Sequence, residues 1–216
     1  ELHCLSNFSF LRGASHPEEL VERAHALGYA ALALTDECSL AGVVRAHLAA
    51  KETGLPLVIG SAFTLADGLK LVLYATDRAT YGDLAQLVTR GRRHAAKGTY
   101  ALTRDDVAEL APRCLALWVP GNGARLDFPG CGHAVYCNSS GKIEPGPISA
   151  RWLADVFPGR AWIAAELFAR SGDRARLDAL GALSRATGLP LVAAGDVHMH
   201  VRARRALQDT LTAIRL

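Results

Sequence analysis

The sequence predicts an α/β fold built on a mainly parallel sheet, and three observations support this prediction. Short apolar runs alternate along the chain with longer segments of helical periodicity. The runs are apolar at successive positions, as is typical of parallel strands that are covered on both faces. The strand–helix–strand units also recur at similar lengths, which favours a parallel sheet. The pattern alone leaves a closed barrel and a doubly wound open sheet as alternatives.

The strands are predicted in chain order from these apolar runs. A first strand-like run starts at Glu1 and reaches His3. Further buried strands follow at residues 30–35, 55–60, 69–75, 114–119, 161–167 and 189–195. The dipeptide Asp67-Gly68 predicts a tight hairpin turn between the apolar segments FTLA and LKLVLY.

The predicted helices carry start and stop signals. In SHPEELVERAHALG, the spacing of Ser15 and Glu18 predicts a capping box, Pro17 stands in the first turn, and Gly28 ends the helix. Glycine also ends the helices predicted in SLAGVVRAHLAAKETG and DRARLDALGALSRATG, since it adopts the left-handed conformation of a helix end without strain. These two stop residues are Gly54 and Gly188.

The segment 121–147 breaks this rhythm because it is rich in Gly, Pro, Asn and Ser. It predicts a long irregular loop or a small excursion. No internal repeat and no clear linker divides the chain, so a single domain over residues 1–216 is expected. The chain starts on Glu1 and stops within a helical pattern that has no stop signal, which we interpret as a domain of a longer protein.

The composition excludes several classes of protein. Half of the residues are hydrophobic, so a sizeable core is available and global disorder is excluded. The five cysteines stand at scattered spacings that imply no disulfide framework, which predicts a reducing, cytoplasmic setting. No uninterrupted apolar stretch approaches the ~18 residues of a membrane-spanning helix, so no membrane partner is expected.

Basic residues cluster in RGRRHAAKG at 90–98 and in HVRARR at 200–205. The net charge of +3 is too small to predict nucleic-acid binding by itself. Each cluster is either a solvated helix face or a patch that contacts phosphates or a neighbouring domain. The candidate contacts for DNA or a partner are Arg90, Arg92, Arg93 and Lys97.

A candidate metal site is predicted where the strands end. The carboxyl ends of parallel strands converge on one rim, and His3, Asp196 and His198 face one another there if the sheet closes. Imidazole and carboxylate together suit Zn, Mn or Fe. Structural interpretations remain open, because His3 also fits a hydrogen-bonded core histidine and Asp196 a helix N-cap. Asp36-Glu37 likewise fits the acidic start of a helix.

Two weaker patterns carry no prediction of a site. Cys131, His133 and Cys137 offer zinc ligands, but the spacing matches no CxxC pair and a fourth ligand is not evident. The glycines Gly121 and Gly123 lack the Lys-Ser/Thr of a P-loop and the spacing of GxGxxG.

Taken together, four segments of the chain resemble one known family. They are ELHCLSNFSFLRGASHPEELVERAHALGYAALALTDECSLAGVVRAH, LPLVIGSAF, TRGRRHAAKG and LPLVAAGDVHMHVRARRALQDTLTAIRL. They are similar to the polymerase and histidinol phosphatase (PHP) domain at the front of C-family bacterial DNA polymerases. Within these, the resemblance is strongest to the error-prone, translesion type related to the DNA polymerase III alpha subunit. It covers most of the chain apart from 121–147.

The resemblance implies a distorted seven-stranded β/α barrel of the PHP type. In members with an intact site, His, Asp, Glu and Cys side chains hold a cluster of metal ions at the strand ends. Some of these domains hydrolyse phosphoesters, including the proofreading of a DNA 3′ end. In others the domain is inactive and serves as a structural or docking module.

Compared position by position, this sequence keeps only part of the family's metal pattern. The retained positions are His3, Asp36, Asp196 and His198. Leu5 replaces the second histidine of the opening pair, Arg12 an aspartate, Glu37 a histidine and Ala62 a glutamate. For the family's middle histidine and its cysteine, His94 and Cys114 are only loose candidates.

These departures predict a degenerate site. A cluster of divalent ions needs carboxylates and imidazoles to replace its hydration, whereas Leu5 and Ala62 donate nothing. Arg12 instead adds a cation, and we expect it to pair with Glu37, Asp36 or Asp196 in place of the metals. At most one Zn or Mn ion is then expected, on His3, Glu37, Asp196 and His198.

The resemblance therefore predicts the N-terminal PHP domain of an error-prone DNA polymerase that acts in translesion synthesis, DNA repair and damage-induced mutagenesis. The domain itself is expected to be a structural or docking module. Nucleotidyl transfer would use Mg and carboxylates outside this chain. The expected partners are the rest of the polymerase chain, DNA and accessory mutagenesis proteins. The alternative is a metal-dependent phosphoesterase or 3′–5′ exonuclease with a reduced metal site.

Overall fold

The computed structural model describes residues 1–121, 136–137, 143–144 and 146–216. The strands are β1 (Leu32–Leu34), β2 (Leu57–Thr64), β3 (Lys70–Tyr74), β4 (Leu115–Trp118), β5 (Tyr136–Cys137), β6 (Ile143–Glu144), β7 (Ala161–Ala165) and β8 (Leu191–Ala193). The α-helices are α1 (Pro17–Ala26), α2 (Val43–Thr53), α3 (Arg78–Arg93), α4 (Arg104–Leu110), α5 (Gly146–Val156), α6 (Asp173–Thr187) and α7 (Arg205–Arg215). A short 3₁₀ helix, Arg202–Arg204, leads into α7.

Six of these strands form one mixed sheet in the order β1-β2-β3-β4-β7-β8. The pairs β1–β2, β4–β7 and β7–β8 are parallel, whereas β2–β3 and β3–β4 are antiparallel. The hairpin predicted at Asp67-Gly68 is confirmed, since it joins β2 to β3 and Gly68 has a φ of +94°. The α/β fold is confirmed, and the antiparallel hairpin strand makes the sheet mixed.

The N-terminal segment 1–5 lies between the two ends of this sheet. The Leu5 N–H donates to the Val197 carbonyl at 2.8 Å, next to the end of β8. On the other side, the Ala33 N–H of β1 donates to the Glu1 carbonyl, also at 2.8 Å. The described strands thus form a curled, six-stranded half-barrel. The continuous seven-stranded barrel implied by the resemblance is not confirmed, because segment 1–5 pairs with the β8 side only through an isolated bridge.

The sheet separates two apolar layers, which explains why its strands are apolar on both faces. The concave face buries a small inner core that contains Val72, Leu117 and Ala164. The convex face packs a larger outer core against helices α3 to α6, and this layer includes Phe63 and Trp118. A third cluster fills the space between α1, α2 and β1. Fully burying a side chain such as Val72, Leu117 or Phe63 contributes roughly 1.5–3 kcal/mol to folding.

The two glycine stops predicted for α2 and α6 agree with the structure, whereas the start of α1 does not. Helices α2 and α6 stop at Gly54 and Gly188, whose φ values are +76° and +74°. The predicted capping box from Ser15 to Glu18 is wrong by one residue. The N-cap is His16, whose backbone N–H donates to Glu19 at 2.8 Å. The Ser15 hydroxyl is instead hydrogen-bonded to His200.

Several sequence predictions fall on residues that the structure does not describe. Within 121–147 they include the Gly121–Gly123 pattern beyond its first glycine, and Cys131 and His133. The backbone of β5, which contains Cys137, pairs antiparallel with β6. None of the helices in the described parts of the chain is long and apolar enough to cross a membrane.

Candidate functional site

Asp36 organises the loop that follows the first segment of the chain. Its carboxylate accepts hydrogen bonds from the Ser6 backbone N–H at 2.8 Å and from the Ser6 and Ser9 hydroxyls, both at 2.7 Å. The Ser9 hydroxyl oxygen in turn accepts from the Glu37 N–H at 2.9 Å. Burial raises the pKa of the Asp36 carboxyl, and the bonds from Ser9 and Ser6 offset only part of this rise. Asp36 therefore acts as the anchor of the loop.

The same loop is folded tightly enough to fix the direction of Arg12. A Cβ at Gly13 would lie 2.0 Å from the Ser6 carbonyl oxygen, so only glycine fits there. Leu11 takes a left-handed backbone conformation, with φ +59°, which is uncommon for a branched side chain. Together with the Asp36 anchor, these constraints direct the Arg12 side chain into a pocket on the rim.

This rim pocket is a cavity of about 60 Å³ at the carboxyl ends of the strands. Its ionisable lining side chains come from distant parts of the chain: His3, Arg12, Glu37, Lys70, Glu166 and Asp196. Ala62 also lines the pocket but offers it no donor or acceptor side chain. Four of the residues that the sequence singled out meet in this pocket: His3, Arg12, Glu37 and Asp196. His198 does not line the pocket, but its ring lies against Asp196.

On one side of the pocket, Glu37 is fully occupied by partners. One carboxylate oxygen forms an ion pair with the Arg12 guanidinium. The other accepts a hydrogen bond from the Tyr100 hydroxyl at 2.9 Å. Tyr100 is itself held in place, because its oxygen accepts from the Thr64 N–H at 2.7 Å. Of the three carboxylates expected as partners of Arg12, Glu37 is the one that it contacts in a hydrogen-bonded pair.

On the other side, histidines and carboxylates contact one another. His3 Nδ1 lies 2.7 Å from Glu166 Oε1 and 3.6 Å from Asp196 Oδ1. His198 Nε2 lies 2.9 Å from Asp196 Oδ1. Burial alone would raise the pKa of Asp196, but the hydrogen bond from His198 and the charges of His198, His3 and Arg12 lower it to about 2. Asp196 is thus held ionised by its neighbours.

Two charged residues of the pocket, Glu166 and Lys70, were not among the candidates from the sequence, and Glu166 is the one whose side chain is hydrogen-bonded to another pocket residue. It follows β7 directly and is almost fully buried, yet it stands at the end of the apolar run AWIAAEL. An acidic residue at the carboxyl end of a buried strand was the available signal, since such groups are seldom buried unless they are paired. Its partner His3 is 163 residues away in the chain, so the pairing has no local pattern.

The residues present do not fit a cluster of metal ions. Leu5 is fully buried as an apolar side chain, and Ala62 supplies no ligand atom. The Arg12 guanidinium lies in the same pocket and occupies an oxygen of Glu37, where it repels further cations. Within the described residues, no group of three or more His, Cys, Asp or Glu side chains is arranged to hold a metal ion.

The residues predicted for DNA or partner contact do not line this pocket, and they differ in their surroundings. The guanidinium of Arg90 lies 3.3 Å from Asp106 and donates to both carboxylate oxygens of Glu109, at 2.5 Å and 3.1 Å. Arg92 donates to the carbonyl oxygens of Cys38 and Thr99, so it fixes the backbone beside Glu37. The remaining two candidates, Arg93 and Lys97, have exposed side chains.

The two loose ligand candidates, His94 and Cys114, also lie outside the pocket, as does His200. His94 is the exposed C-cap of α3. Cys114 is buried in the outer core, where burial raises the pKa of its thiol to about 12. His200 Nδ1 lies 2.8 Å from the Ser15 hydroxyl, and its backbone N–H donates to the same oxygen. This pair ties the start of α1 to the segment before α7.

Comparison with known proteins identifies similar chains. The family model of the PHP domain matches residues 1–160. Curated relatives named error-prone DNA polymerase are 55% identical in Dechloromonas aromatica, 56% in Methylococcus capsulatus and 53% in Pseudomonas fluorescens. Each match includes the whole of this chain, which spans only 20%, 19% and 19% of these relatives, respectively.

Solved structures with a similar fold have much lower identity. A protein described as a metal-dependent phosphoesterase from Bifidobacterium adolescentis gives a TM-score of 0.64 at 15% identity, covering 92% of this chain and 87% of its own. An amidohydrolase from Chromobacterium violaceum gives 0.57 at 15% identity, with the same coverage. At this identity, the likeness concerns the fold alone.

Proposed function

The chain belongs to the PHP domain family, and from this premise we propose that it is the PHP domain of an error-prone DNA polymerase. Three curated relatives of that name match its full length at more than half identical residues. The chain spans about one fifth of their length, so the polymerase active site belongs to the remainder of the longer protein. Nucleotidyl transfer there would use Mg held by carboxylates outside this chain.

The proposed role of the domain itself is that of a structural module with a degenerate metal site. The observation that carries this proposal is the position of Arg12 in the rim pocket, ion-paired with Glu37. The Arg12 guanidinium would supply positive charge on the rim where members with an intact site hold metal ions, and Glu37 is its carboxylate partner. His3, Asp196 and His198 leave at most one weak Zn or Mn site on the opposite side.

Metal content tests this role directly. We expect the purified full-length protein, dialysed against Zn or Mn, to retain about one ion or none per chain in this domain. Elemental analysis of wild type and His3→Ala separates this domain from the polymerase centre, because the variant changes only the rim. Two or more ions lost on that substitution would overturn the proposal and favour the phosphoesterase or exonuclease alternative.

The remaining features of the proposal concern architecture and surroundings. We propose that segment 1–5 serves as the seventh strand of a distorted PHP barrel, within one domain over residues 1–216. Its hydrogen bonds to both β1 and the residue after Asp196 support this arrangement. The proposed setting is the cytoplasm, with DNA and accessory mutagenesis proteins as partners of the whole polymerase. DNA contact by this domain would rest on Arg93 and Lys97, whose side chains are exposed.

A further inference from the structure

The loop that directs Arg12 into the rim pocket also presents aromatic rings to solvent, and we call residues 6–13 the aromatic loop. Phe8 is 37% exposed and Phe10 is 83% exposed. Apart from Leu216 at the end of the chain, Phe10 is the most exposed large apolar side chain of the described residues. Single exposed apolar residues are common on protein surfaces, so a role for Phe10 follows only from its surroundings.

The backbone that carries Phe10 is held in a fixed conformation. The Arg12 N–H donates to the Ser9 carbonyl at 2.9 Å, which closes a turn around Phe10, and the Ser9 hydroxyl donates to the buried Asp36. Leu11, the next residue, has a φ of +59°. Uncommon backbone conformations of this kind persist where the surrounding structure fixes them, often beside a ligand. Since the loop is already ordered, little further ordering is needed for a ligand to stack on the ring.

On one side the aromatic loop adjoins the basic cluster at 200–205. The Ala14 N–H, directly after the loop, donates to the His198 carbonyl at 2.8 Å. Within the described residues, the guanidinium of the exposed Arg202 has no hydrogen bond or ion pair. Arg205 forms an exposed ion pair inside its own helix, at 3.6 Å, and pairs of this kind contribute little. Both guanidinium groups are therefore available to a ligand.

On the other side the aromatic loop adjoins the C-terminal end of α3. Arg92 on α3 donates to the Glu37 carbonyl at 3.3 Å, and the Glu37 N–H donates to the Ser9 hydroxyl in the loop at 2.9 Å. Arg93 and Lys97, which follow Arg92 in the chain, are exposed. The aromatic loop thus lies between two segments that carry exposed positive charge.

We propose that the aromatic loop binds single-stranded DNA, with one base stacked on the Phe10 ring and the neighbouring phosphates held by the two basic segments. Proteins bind single strands through aromatic rings in a basic setting, because every base has a face that stacks and every phosphate carries charge. The inference rests on the proposed function, which supplies DNA as the partner. It adds the form of the DNA, the surface that binds it and the stacking residue.

The chemistry of this surface favours a single strand over duplex DNA or a protein. In a duplex the faces of the bases are stacked on one another, so none is available to Phe10. A stable protein interface buries about 800 Å² on each partner around an apolar core. The aromatic loop instead offers two rings between positively charged segments.

Four single substitutions in the full-length protein separate base stacking from apolar contact. Phe10→Ala removes the ring. Phe10→Leu keeps a large apolar side chain without a ring face, whereas Phe10→Trp keeps a ring face. Tyr29→Ala is the matched control, since Tyr29 is an exposed aromatic residue at the end of α1 that is remote from the loop.

Photo-cross-linking locates the contact even though the polymerase body also binds DNA. The probe is a single strand of thymidines with one 5-iodouracil, which on irradiation reacts with an aromatic ring stacked on it, and mass spectrometry identifies the modified peptide. We expect wild type, Phe10→Trp and Tyr29→Ala to cross-link at the aromatic loop. The yield should fall about tenfold in Phe10→Ala and Phe10→Leu. No cross-link at the loop in wild type, or an equal yield in Phe10→Leu, would overturn the proposal.

The salt dependence of binding tests the phosphate contacts. Arg202→Ala with Arg205→Ala should lower the slope of log K against log salt for the same single strand by about 1.4, because two phosphate contacts are lost. Arg23→Ala with Lys51→Ala removes two exposed charges from α1 and α2 and should leave the slope unchanged. Equal slopes for the two double variants would overturn the assignment of phosphates to the 200–205 cluster.

Two further readouts distinguish a protein contact and a failure of the polymerase proposal. A lower midpoint of urea unfolding for Phe10→Ala, with unchanged DNA binding, would show that Phe10 packs against another part of the polymerase and would overturn the stacking proposal. Primer extension by the wild-type protein tests the proposed polymerase function separately. Its absence would overturn that function, whereas failure of the stacking proposal would appear only in the cross-linking and binding measurements.

Discussion

Asp36 and Asp196 are two acidic side chains on the same rim, and their surroundings shift their pKa values in opposite directions. Asp36 is contacted by neutral donors, the backbone and hydroxyl of Ser6 and the hydroxyl of Ser9. Its pKa is raised because burial outweighs these bonds. Asp196 is also buried, but the neighbouring His198, with its hydrogen bond, and the charge of Arg12 help to lower its pKa to about 2.

The comparison separates two roles for a carboxylate at the strand ends. Neutral donors orient a carboxylate but do not compensate the cost of burying its charge, whereas cationic neighbours do. The Asp36 side of the rim has therefore become a structural anchor that shapes the loop carrying Arg12. The Asp196 side keeps an ionised carboxylate beside two histidines, and Arg12 supplies part of the charge that keeps it so.

The largest expected effect tests the role of Asp36 as an anchor. Asp36→Ala removes the acceptor of three hydrogen bonds and leaves the buried Ser6 N–H unsatisfied, so we expect the free energy of unfolding to fall by about 3 kcal/mol. Urea denaturation, followed through the unfolding transition of the PHP domain, measures this free energy. Asp36→Asn serves as the matched control, since it keeps one acceptor oxygen and should lose less. A loss below about 1 kcal/mol for the alanine variant would contradict the anchor.

The second prediction concerns the pH dependence that Asp196 contributes. A carboxyl whose pKa is lower in the folded than in the unfolded state stabilises the fold fully above its unfolded pKa. This stabilisation is lost as the pH falls from about 4 towards 2, and it amounts to at most about 2.5 kcal/mol. Asp196→Asn should flatten the stability curve in this window, whereas Asp155→Asn, at an exposed position, should not. Equal curves for both variants would contradict the assignment.

Features of this fold that are set by neighbouring residues could be predicted from the sequence, whereas contacts between residues far apart in the chain could not. The strands, the hairpin and the glycine helix ends follow from local periodicity and turn chemistry, so they were predictable. The sequence left Asp36 as a metal-pattern position or the acidic start of a helix, but α2 begins only at Val43. The anchor role depends on Ser6, 30 residues away. Glu166 was missed for the same reason, since its partner lies in the opening segment.

The third prediction tests Arg12 as the link between the two sides. Arg12→Gln keeps a polar side chain but removes the charge, which leaves Glu37 with Tyr100 as its remaining side-chain partner. We expect a loss of about 1 kcal/mol, because the pair is only partly buried. We also expect the acid limb of the stability curve to move slightly to higher pH, since one of the charges that lower the Asp196 pKa is gone while His198 and His3 remain.

The control for Arg12 is a more exposed ion pair of the same type. Arg45 pairs with Glu18 on the surface of α1 and α2, and both side chains are more exposed than those of Arg12 and Glu37. Arg45→Gln should change stability by no more than about 0.5 kcal/mol and leave the acid limb where it is. If the Arg12 and Arg45 variants behave alike in stability and in pH, Arg12 has no special role in the rim.

The smallest effect on stability is expected for substitutions of the basic residues outside the rim. Their role is therefore measured by DNA binding. Arg90 and Arg92 are engaged by protein groups, whereas Arg93 and Lys97 are exposed. We expect Arg93→Ala with Lys97→Ala to leave unfolding unchanged. If both contact phosphates, the slope of log K against log salt for single-stranded DNA drops by about 1.4 in the full-length protein.

The matched control removes the same two charges from another exposed surface, through Arg23→Ala with Lys51→Ala on α1 and α2. An identical salt slope for wild type and both variants would show that the cluster at 90–98 is a solvated helix face. A drop confined to the Arg93/Lys97 variant would place DNA beside α3. In that case the connection between the rim and DNA would run through α3, because Arg92 on α3 donates to the carbonyl oxygens of Glu37 and Cys38.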